Sequence, residues 1–219
     1  MIRTALVLGA AALGALMLAP SLTASAESAR LTPPPALSLP AGGPSETAFF
    51  AGGCFWGVEG VFEHVKGVTS AVAGYAGPKR GTSYEQVSSG TTGNAETVKV
   101  TFDPRVVSYA QLLRIYFSVV ADPTSLNRQG PDSGTQYRTA LFPTSPAQAR
   151  QARAYIAQLK AARAFPRPIV TSIEQGAFTR AETYHQGYMR AHPDAPYIAI
   201  NDRPKVEALK RLFPALYRA

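Results

Sequence analysis

The sequence predicts an α+β fold, a two-layer ferredoxin-like (split βαβ) sandwich with C-terminal extensions. Three observations lead to it. Strand and helix periodicities run in the order strand, helix, strand, strand, helix, strand, helix, strand, which makes two βαβ-like halves. Of 219 residues 46% are hydrophobic, with 10 Tyr and 10 Phe among them, enough for one core and too little chain for two full-size domains. Gly and Pro, 18 of each, punctuate the periodic stretches without approaching a low-complexity composition.

Thr47 to Ala51 is the first strand, closed by Gly52 and Gly53. A helix from Phe55 to Val65 follows, because Phe55, Val58, Val61, Phe62 and Val65 fall on one face, and Gly67 stops it. Val68 to Tyr75 is a second strand. Gly77 to Asn94, rich in Gly, Ser and Thr, reads as a long irregular loop of the kind that often carries function. Glu96 to Phe102 alternates: Glu96, Val98, Val100 and Phe102 on one face, Thr97, Lys99 and Thr101 on the other. Ser108 caps a helix to Val120, and Ala121 to Thr135 is a second long loop. Tyr137 to Phe142 is a strand. Ser145 caps the next helix, with Pro146 at its first position and Gln148 completing a capping box, and the helix runs to Ala164. Pro166 and Pro168 end it, Ile169 to Ile173 is a further strand, and short helices follow over Glu182–Arg190 and Pro204–Leu212. The helices are expected to cover one face of a mixed sheet.

Two segments precede this domain, which begins at Thr47 and runs to Ala219 (residues 47–219). Residues 1–26 have the form of a cleavable signal peptide: Arg3, an uncharged apolar run from Ala5 to Ala19, and Ala24-Ser25-Ala26 before Glu27. The run is shorter than the ~20 residues of a spanning helix, so no stable membrane anchor is expected, and the protein is expected to be exported, to the periplasm. Residues 27–46, with five prolines and Gly42-Gly43, read as an extended linker. The formal charge of +8 is scattered singly with no Lys/Arg run, which argues for an ordinary basic surface and against nucleic-acid binding. One cysteine and three dispersed histidines exclude an internal disulfide and a Cys/His zinc cluster.

Cys54 stands between two glycines and the start of a helix. Free N–H groups and the positive dipole end there stabilise a thiolate and lower the thiol pKa. The competing reading is a buried structural cysteine; solitude in an exported chain favours a reactive thiol. Phe55 fits the core stripe, whereas Trp56, the only tryptophan, points off it and can wall an apolar pocket suited to methyl and sulfur groups. Glu96 shares a face with Val98, Val100 and Phe102. A carboxyl so placed is desolvated and its pKa raised, which makes it a proton donor near neutral pH; the alternative is a frayed strand end in solvent. Tyr84, Asp132 and Tyr137 lie in or beside the two long loops, and no spacing rule assembles them.

Gly52-Gly53-Cys54-Phe55-Trp56-Gly57 resembles the GCFWG signature of A-type peptide methionine sulfoxide reductases. The resemblance extends through Gly74–Gly77, Tyr84–Val87, Gly93-Asn94-Ala95-Glu96, Asp122-Pro123-Thr124, Asn127–Gly130, Gly134–Arg138 and Ala181–Gln186, from Phe49 to Tyr197. It implies reduction of the S epimer of methionine sulfoxide in proteins or peptides, repair of oxidative damage, a ferredoxin-like fold, and no metal or organic cofactor. It places the nucleophile on Cys54, the methyl-binding wall on Phe55 and Trp56, the groups that bind and protonate the sulfoxide oxygen on Tyr84, Glu96 and Tyr137, an active-site aspartate on Asp132, and a further pocket tyrosine on Tyr197. Two departures stand out. Asn94 occupies a position where many members carry His. No second cysteine exists to resolve a Cys54 sulfenic acid, so the cycle implied is a one-cysteine one that needs a thioredoxin-like or small-thiol reductant. The rival enzyme class is a one-cysteine thiol peroxidase, which needs an activating Arg; none is adjacent to Cys54. A Cys–His hydrolase would need His64 or His185 to reach Cys54, and a non-enzymatic module for oxidised peptides would make Cys54 structural. A monomer is the default expectation.

Overall fold

The computed structural model describes residues 29–40 and 42–219; the expected signal peptide lies outside them. The elements are β1 (Glu46–Gly52), α1 (Phe55–Glu63), β2 (Val68–Gly77), α2 (Tyr84–Ser88), β3 (Ala95–Phe102), α3 (Tyr109–Ile115), β4 (Arg128–Gln129), β5 (Asp132–Ser133), β6 (Thr139–Phe142), α4 (Pro146–Ala161), β7 (Ser172–Ile173), β8 (Ala177–Arg180), α5 (Tyr188–Ala191) and α6 (Arg203–Leu212). Six strands form one sheet in the order β7-β6-β1-β3-β2-β8. Its middle four are antiparallel throughout, with α1 and α3 in the crossovers, which is the split βαβ arrangement expected. β7 joins one edge in parallel and β8 the other edge antiparallel, so the sheet is mixed.

The period-2 pattern sets the two faces. Ala48 and Phe50 of β1, Val98, Val100 and Phe102 of β3, and Ala73 and Tyr75 of β2 join residues of α1, α3, α4 and α6 in one buried cluster. The opposite face holds a smaller cluster of Ala51, Ala76, Ala95, Ala140 and Phe142, where Phe49 and Phe178 stack at 5.2 Å.

Several expected elements differ in the fold. The loop expected over Gly77–Asn94 contains α2, nucleated by a capping box in which Ser83 Oγ accepts from Gln86 N–H and Gln86 Oε1 from Ser83 N–H. Asn94 braces the same loop, accepting from Lys79 N–H at 3.1 Å and donating to Lys79 O at 2.8 Å. The helix from Ser108 opens on a capping box with Gln111 but widens to a π turn over Tyr116–Val120, where Tyr116 donates its hydroxyl to Ala51 O. The second loop contains the β4–β5 hairpin. Tyr137 lies in a 3₁₀ turn rather than in a strand, which begins at Thr139, because Arg138 is clamped by Glu174 at 2.7 Å and by Gly93 O at 3.0 Å. The capping box at Ser145 is half formed: Gln148 Oε1 accepts from Thr144 N–H instead. The strand expected over Ile169–Ile173 shrinks to Ser172–Ile173, and β8 has no counterpart in the expected order. The helix expected over Glu182–Arg190 breaks at Gly187, whose φ of 59° and N–H bond to Glu59 turn the chain.

The described part of the proline-rich stretch has no helix or strand before β1 and lies against the domain as a strap. Thr32 is only 1% exposed. Its hydroxyl meets Ser118 Oγ at 2.7 Å and Tyr155 OH at 2.8 Å, and Tyr155 donates to Pro33 O. Gln151 and Gln158 of α4 accept from Leu39 and Ala36 N–H. Thr32→Val removes the hydroxyl bonds to Ser118 and Tyr155, which keep their bonds to Thr32 N–H and Pro33 O, at a cost of about 0.5–1.5 kcal/mol per bond lost. The expected result is a lower melting temperature with unchanged activity; an unaltered melting curve would show that the Thr32 hydroxyl contributes nothing to stability.

Candidate active site

Cys54 takes the N-cap position of α1, directly beyond β1, and its side chain makes no cap bond. That role falls to Glu96, whose Oε2 accepts from Phe55 N–H at 3.0 Å. Two glycines of the motif allow the close packing around this turn. Gly53 has φ of +87°, and a Cβ there would lie 2.5 Å from Gln129 Cβ; at Gly57 it would lie 2.1 Å from Asp202 Oδ1. The β4–β5 hairpin and the start of α6 therefore close directly on the cysteine turn.

Glu96 sits opposite Tyr75 in the β2–β3 register and is 2% exposed, so its expected place on the core face holds and the solvent alternative does not. Burial, with the negative charges of Asp132 and Asp202, pushes its pKa up to about 8 against the opposing Phe55 N–H bond. Cys54 differs from expectation. The backbone N–H of Trp56 lowers its pKa as a helix start should, but burial and the charges of Glu96, Asp202 and Asp132 outweigh it and push the thiol well above its ordinary value. Burial therefore favours the protonated form of both groups, the thiol and the carboxylic acid.

Tyr84 opens α2, its N–H held by Glu182 Oε1 at 2.9 Å, while Tyr137 sits in the turn before β6. Burial raises both phenols and the Glu96 charge raises them further, so each is a neutral hydroxyl within electrostatic reach of Glu96 and Cys54. Asp132 accepts from the Tyr197 hydroxyl. Phe55 is buried against Tyr75. Trp56 stacks on Tyr188 at 3.8 Å and meets Tyr197 edge-on at 5.8 Å. The fold thus brings the eight expected site residues around one turn. Sequence reasoning missed Asp202, Tyr188, Glu182 and the part played by His185. The last two lie in the Ala181–Gln186 motif, while Asp202 before Arg203-Pro204 reads as nothing more than a helix cap.

A thiol and a neutral carboxyl beside aromatic walls, with His185 Nδ1 already engaged by Trp56, define a thiol-dependent oxidoreductase rather than a Cys–His hydrolase. The chain matches the family described as Peptide methionine sulfoxide reductase over residues 46–215. It is 58% identical over 175 residues to Peptide methionine sulfoxide reductase MsrA 2 of Mesorhizobium japonicum, spanning 79% of this chain and 90% of that protein. Against a Peptide methionine sulfoxide reductase MsrA of Thermus thermophilus it is 46% identical over 177 residues, spanning 80% and 99%. Among solved structures, reduced Mxr1 from Saccharomyces cerevisiae matches with a TM-score of 0.64 and 30% identity over 73% of this chain and 92% of that one. Methionine sulfoxide reductase A of Corynebacterium diphtheriae matches at 0.59 and 30%, over 74% and 82%. The chain belongs to the peptide methionine sulfoxide reductase family, and it is an A-type, peptide-methionine (S)-S-oxide reductase.

Proposed function

We propose that Cys54 is the nucleophile of this reductase and Glu96 its acid. The observation that carries the reading is the bond from Phe55 N–H to Glu96 Oε2 at 3.0 Å, which ties the acid to the turn bearing the thiol. A neutral carboxyl that accepts this bond through its carbonyl oxygen keeps its O–H for the substrate. Phe55 and Trp56 hold the methyl group on sulfur, with Tyr197 completing the wall and Asp132 orienting Tyr197. Tyr84, Tyr137 and Glu96 receive the sulfoxide oxygen. Cys54 Sγ bonds to the sulfoxide sulfur as its proton leaves and as Glu96 and the phenols protonate and hydrogen-bond the oxygen, so no full charge develops there. The protonated oxygen then passes from the substrate sulfur to Sγ: its bond to the substrate sulfur breaks, an Sγ–O bond forms, and the Sγ–S bond breaks. Methionine thus departs reduced by two electrons, while Cys54, oxidised by two, keeps the oxygen and one proton as a sulfenic acid and the acid proton returns to Glu96.

The single cysteine leaves recycling to an external thiol. One thiol attacks the sulfenic sulfur, expelling water and forming a mixed disulfide; a second thiol releases Cys54 and leaves the donor oxidised. A thioredoxin-like dithiol supplies both thiols in one partner, and two small thiols do the same in succession.

The test is a single-turnover experiment by mass spectrometry, with reduced protein, no added thiol, and a peptide carrying both sulfoxide epimers. The S epimer alone should disappear, in an amount equal to enzyme, while Cys54 gains one oxygen. Persistence of both epimers with Cys54 still reduced would sink the reading.

A further inference from the structure

The Ala181–Gln186 segment lies outside the reacting groups, yet it packs against Phe55, Trp56 and Tyr84 and is held at both ends. Ala181 N–H and Gln186 Nε2 both donate to Ala73 O of β2 at 3.0 Å. Glu59 of α1 accepts from Gly187 N–H at 2.8 Å and from Ala73 N–H at 3.2 Å. Between these anchors lies His185, 2% exposed, with its ring 4.9 Å from Phe55 and 4.7 Å from Tyr84.

Its Nδ1 lies 3.2 Å from Trp56 Nε1. An indole N–H can only donate, so Nδ1 must be unprotonated and the ring neutral, with its proton on Nε2. Nε2 is buried without a hydrogen-bond partner among the described residues, and Glu182 Oε2 is 4.0 Å away. Burial favours the same neutral form by pulling the His185 pKa down. Tyr188 stacks on Trp56 with the two planes 10° apart. A stack of this kind fixes the tilt of the indole but allows it to slide and to turn in its own plane. The bond to Nδ1 removes that freedom.

We infer that His185 is a positioning residue: by accepting the Trp56 N–H and packing on Phe55 and Tyr84, it sets the methyl-binding wall at a fixed spacing from the hydroxyl that receives the oxygen. The inference rests on the roles proposed above for Phe55, Trp56 and Tyr84. Its effect falls on substrate binding, not on the sulfur chemistry.

Trp56 is the only tryptophan, so one fluorophore and one indole N–H report the contact. In the intact chain, nitrogen NMR should show a scalar coupling between Trp56 Nε1 and His185 Nδ1; a resolved indole signal coupled to no histidine nitrogen would overturn the inference without any variant. His185→Phe keeps a ring but removes the acceptor, whereas His185→Asn keeps an acceptor near the place of Nδ1. With a chemical thiol as reductant, His185→Phe should raise KM for an S-sulfoxide peptide about 5- to 10-fold, the worth of one hydrogen bond, with kcat changed less than about twofold. Its tryptophan emission should shift, and His185→Asn should restore both emission and KM toward the parent. Unchanged emission in a folded His185→Phe protein overturns the inference alone. A shifted emission with unchanged KM removes Trp56 from the substrate wall, and the inference falls with that reading.

Discussion

Cys54→Ser is expected to abolish turnover, with a fall of at least about 10⁴-fold, the scale seen when a nucleophile is removed from a site that otherwise stays assembled. Serine matches the shape of cysteine, and the N-cap position asks nothing of the side chain, since the Phe55 N–H is held by Glu96. The fold and the aromatic wall should therefore survive. A hydroxyl cannot take the sulfoxide oxygen and hold it as a sulfenic acid, so the loss should be in kcat and not in binding. Equilibrium binding of a sulfoxide peptide, measured by calorimetry beside the turnover assay, should keep the preference for the S epimer. Turnover that persists in Cys54→Ser would mean that the thiol is structural.

Glu96→Gln is expected to lower kcat by about 10²–10⁴-fold, the contribution of a positioned general acid. The amide oxygen can still accept from Phe55 N–H, so the turn bearing Cys54 is retained, and the amide can hydrogen-bond the sulfoxide oxygen without delivering a proton. KM should therefore move far less than kcat. The pH profile supplies a second readout. The Glu96 pKa is pushed up to about 8, chiefly by burial, so the acid is present below that pH and is lost as pH rises through it. Wild-type single-turnover rates should fall on the alkaline side near that value. Ionised Glu96 also raises the Cys54 thiol, so the two groups titrate as a pair and the limb belongs to both. In Glu96→Gln that limb should vanish, leaving a slow rate without the alkaline fall near pH 8. A glutamine variant with the wild-type rate and profile would remove Glu96 from the chemistry.

Much of the site was readable locally. Strict alternation from Glu96 to Phe102 is enough to put a carboxyl on the core face, because side chains of a strand alternate with period 2. Two glycines after a strand and an apolar stripe beginning at Phe55 place Cys54 at a helix start. The Ser-x-x-Gln pattern at Ser83 was equally present, but a Gly-, Ser- and Thr-rich context hid the short helix it caps. The pattern that puts Tyr137 in a strand carries no sign of its turn, which depends on Arg138 reaching Glu174 and Gly93, contacts made across the fold.

Local pattern alone is enough for the order and facing of the central strands and helices, the cysteine at the start of a helix, the Glu96 carboxyl on the buried face, and the absence of a second thiol in the sequence. Each depends on periodicity, on a neighbour a few residues away, or on a count. Which protons the site holds is settled only by the folded chain, since the Cys54 thiol is raised by burial and by Glu96, Asp202 and Asp132 on three other segments. Folding likewise settles that Tyr197 bonds to Asp132, that His185 holds Trp56, and that the proline-rich stretch lies along α4 as a strap. Burial and charge at a point are sums over whatever the fold brings near it, and segments 65 to 129 residues apart leave no local pattern from which that sum can be read.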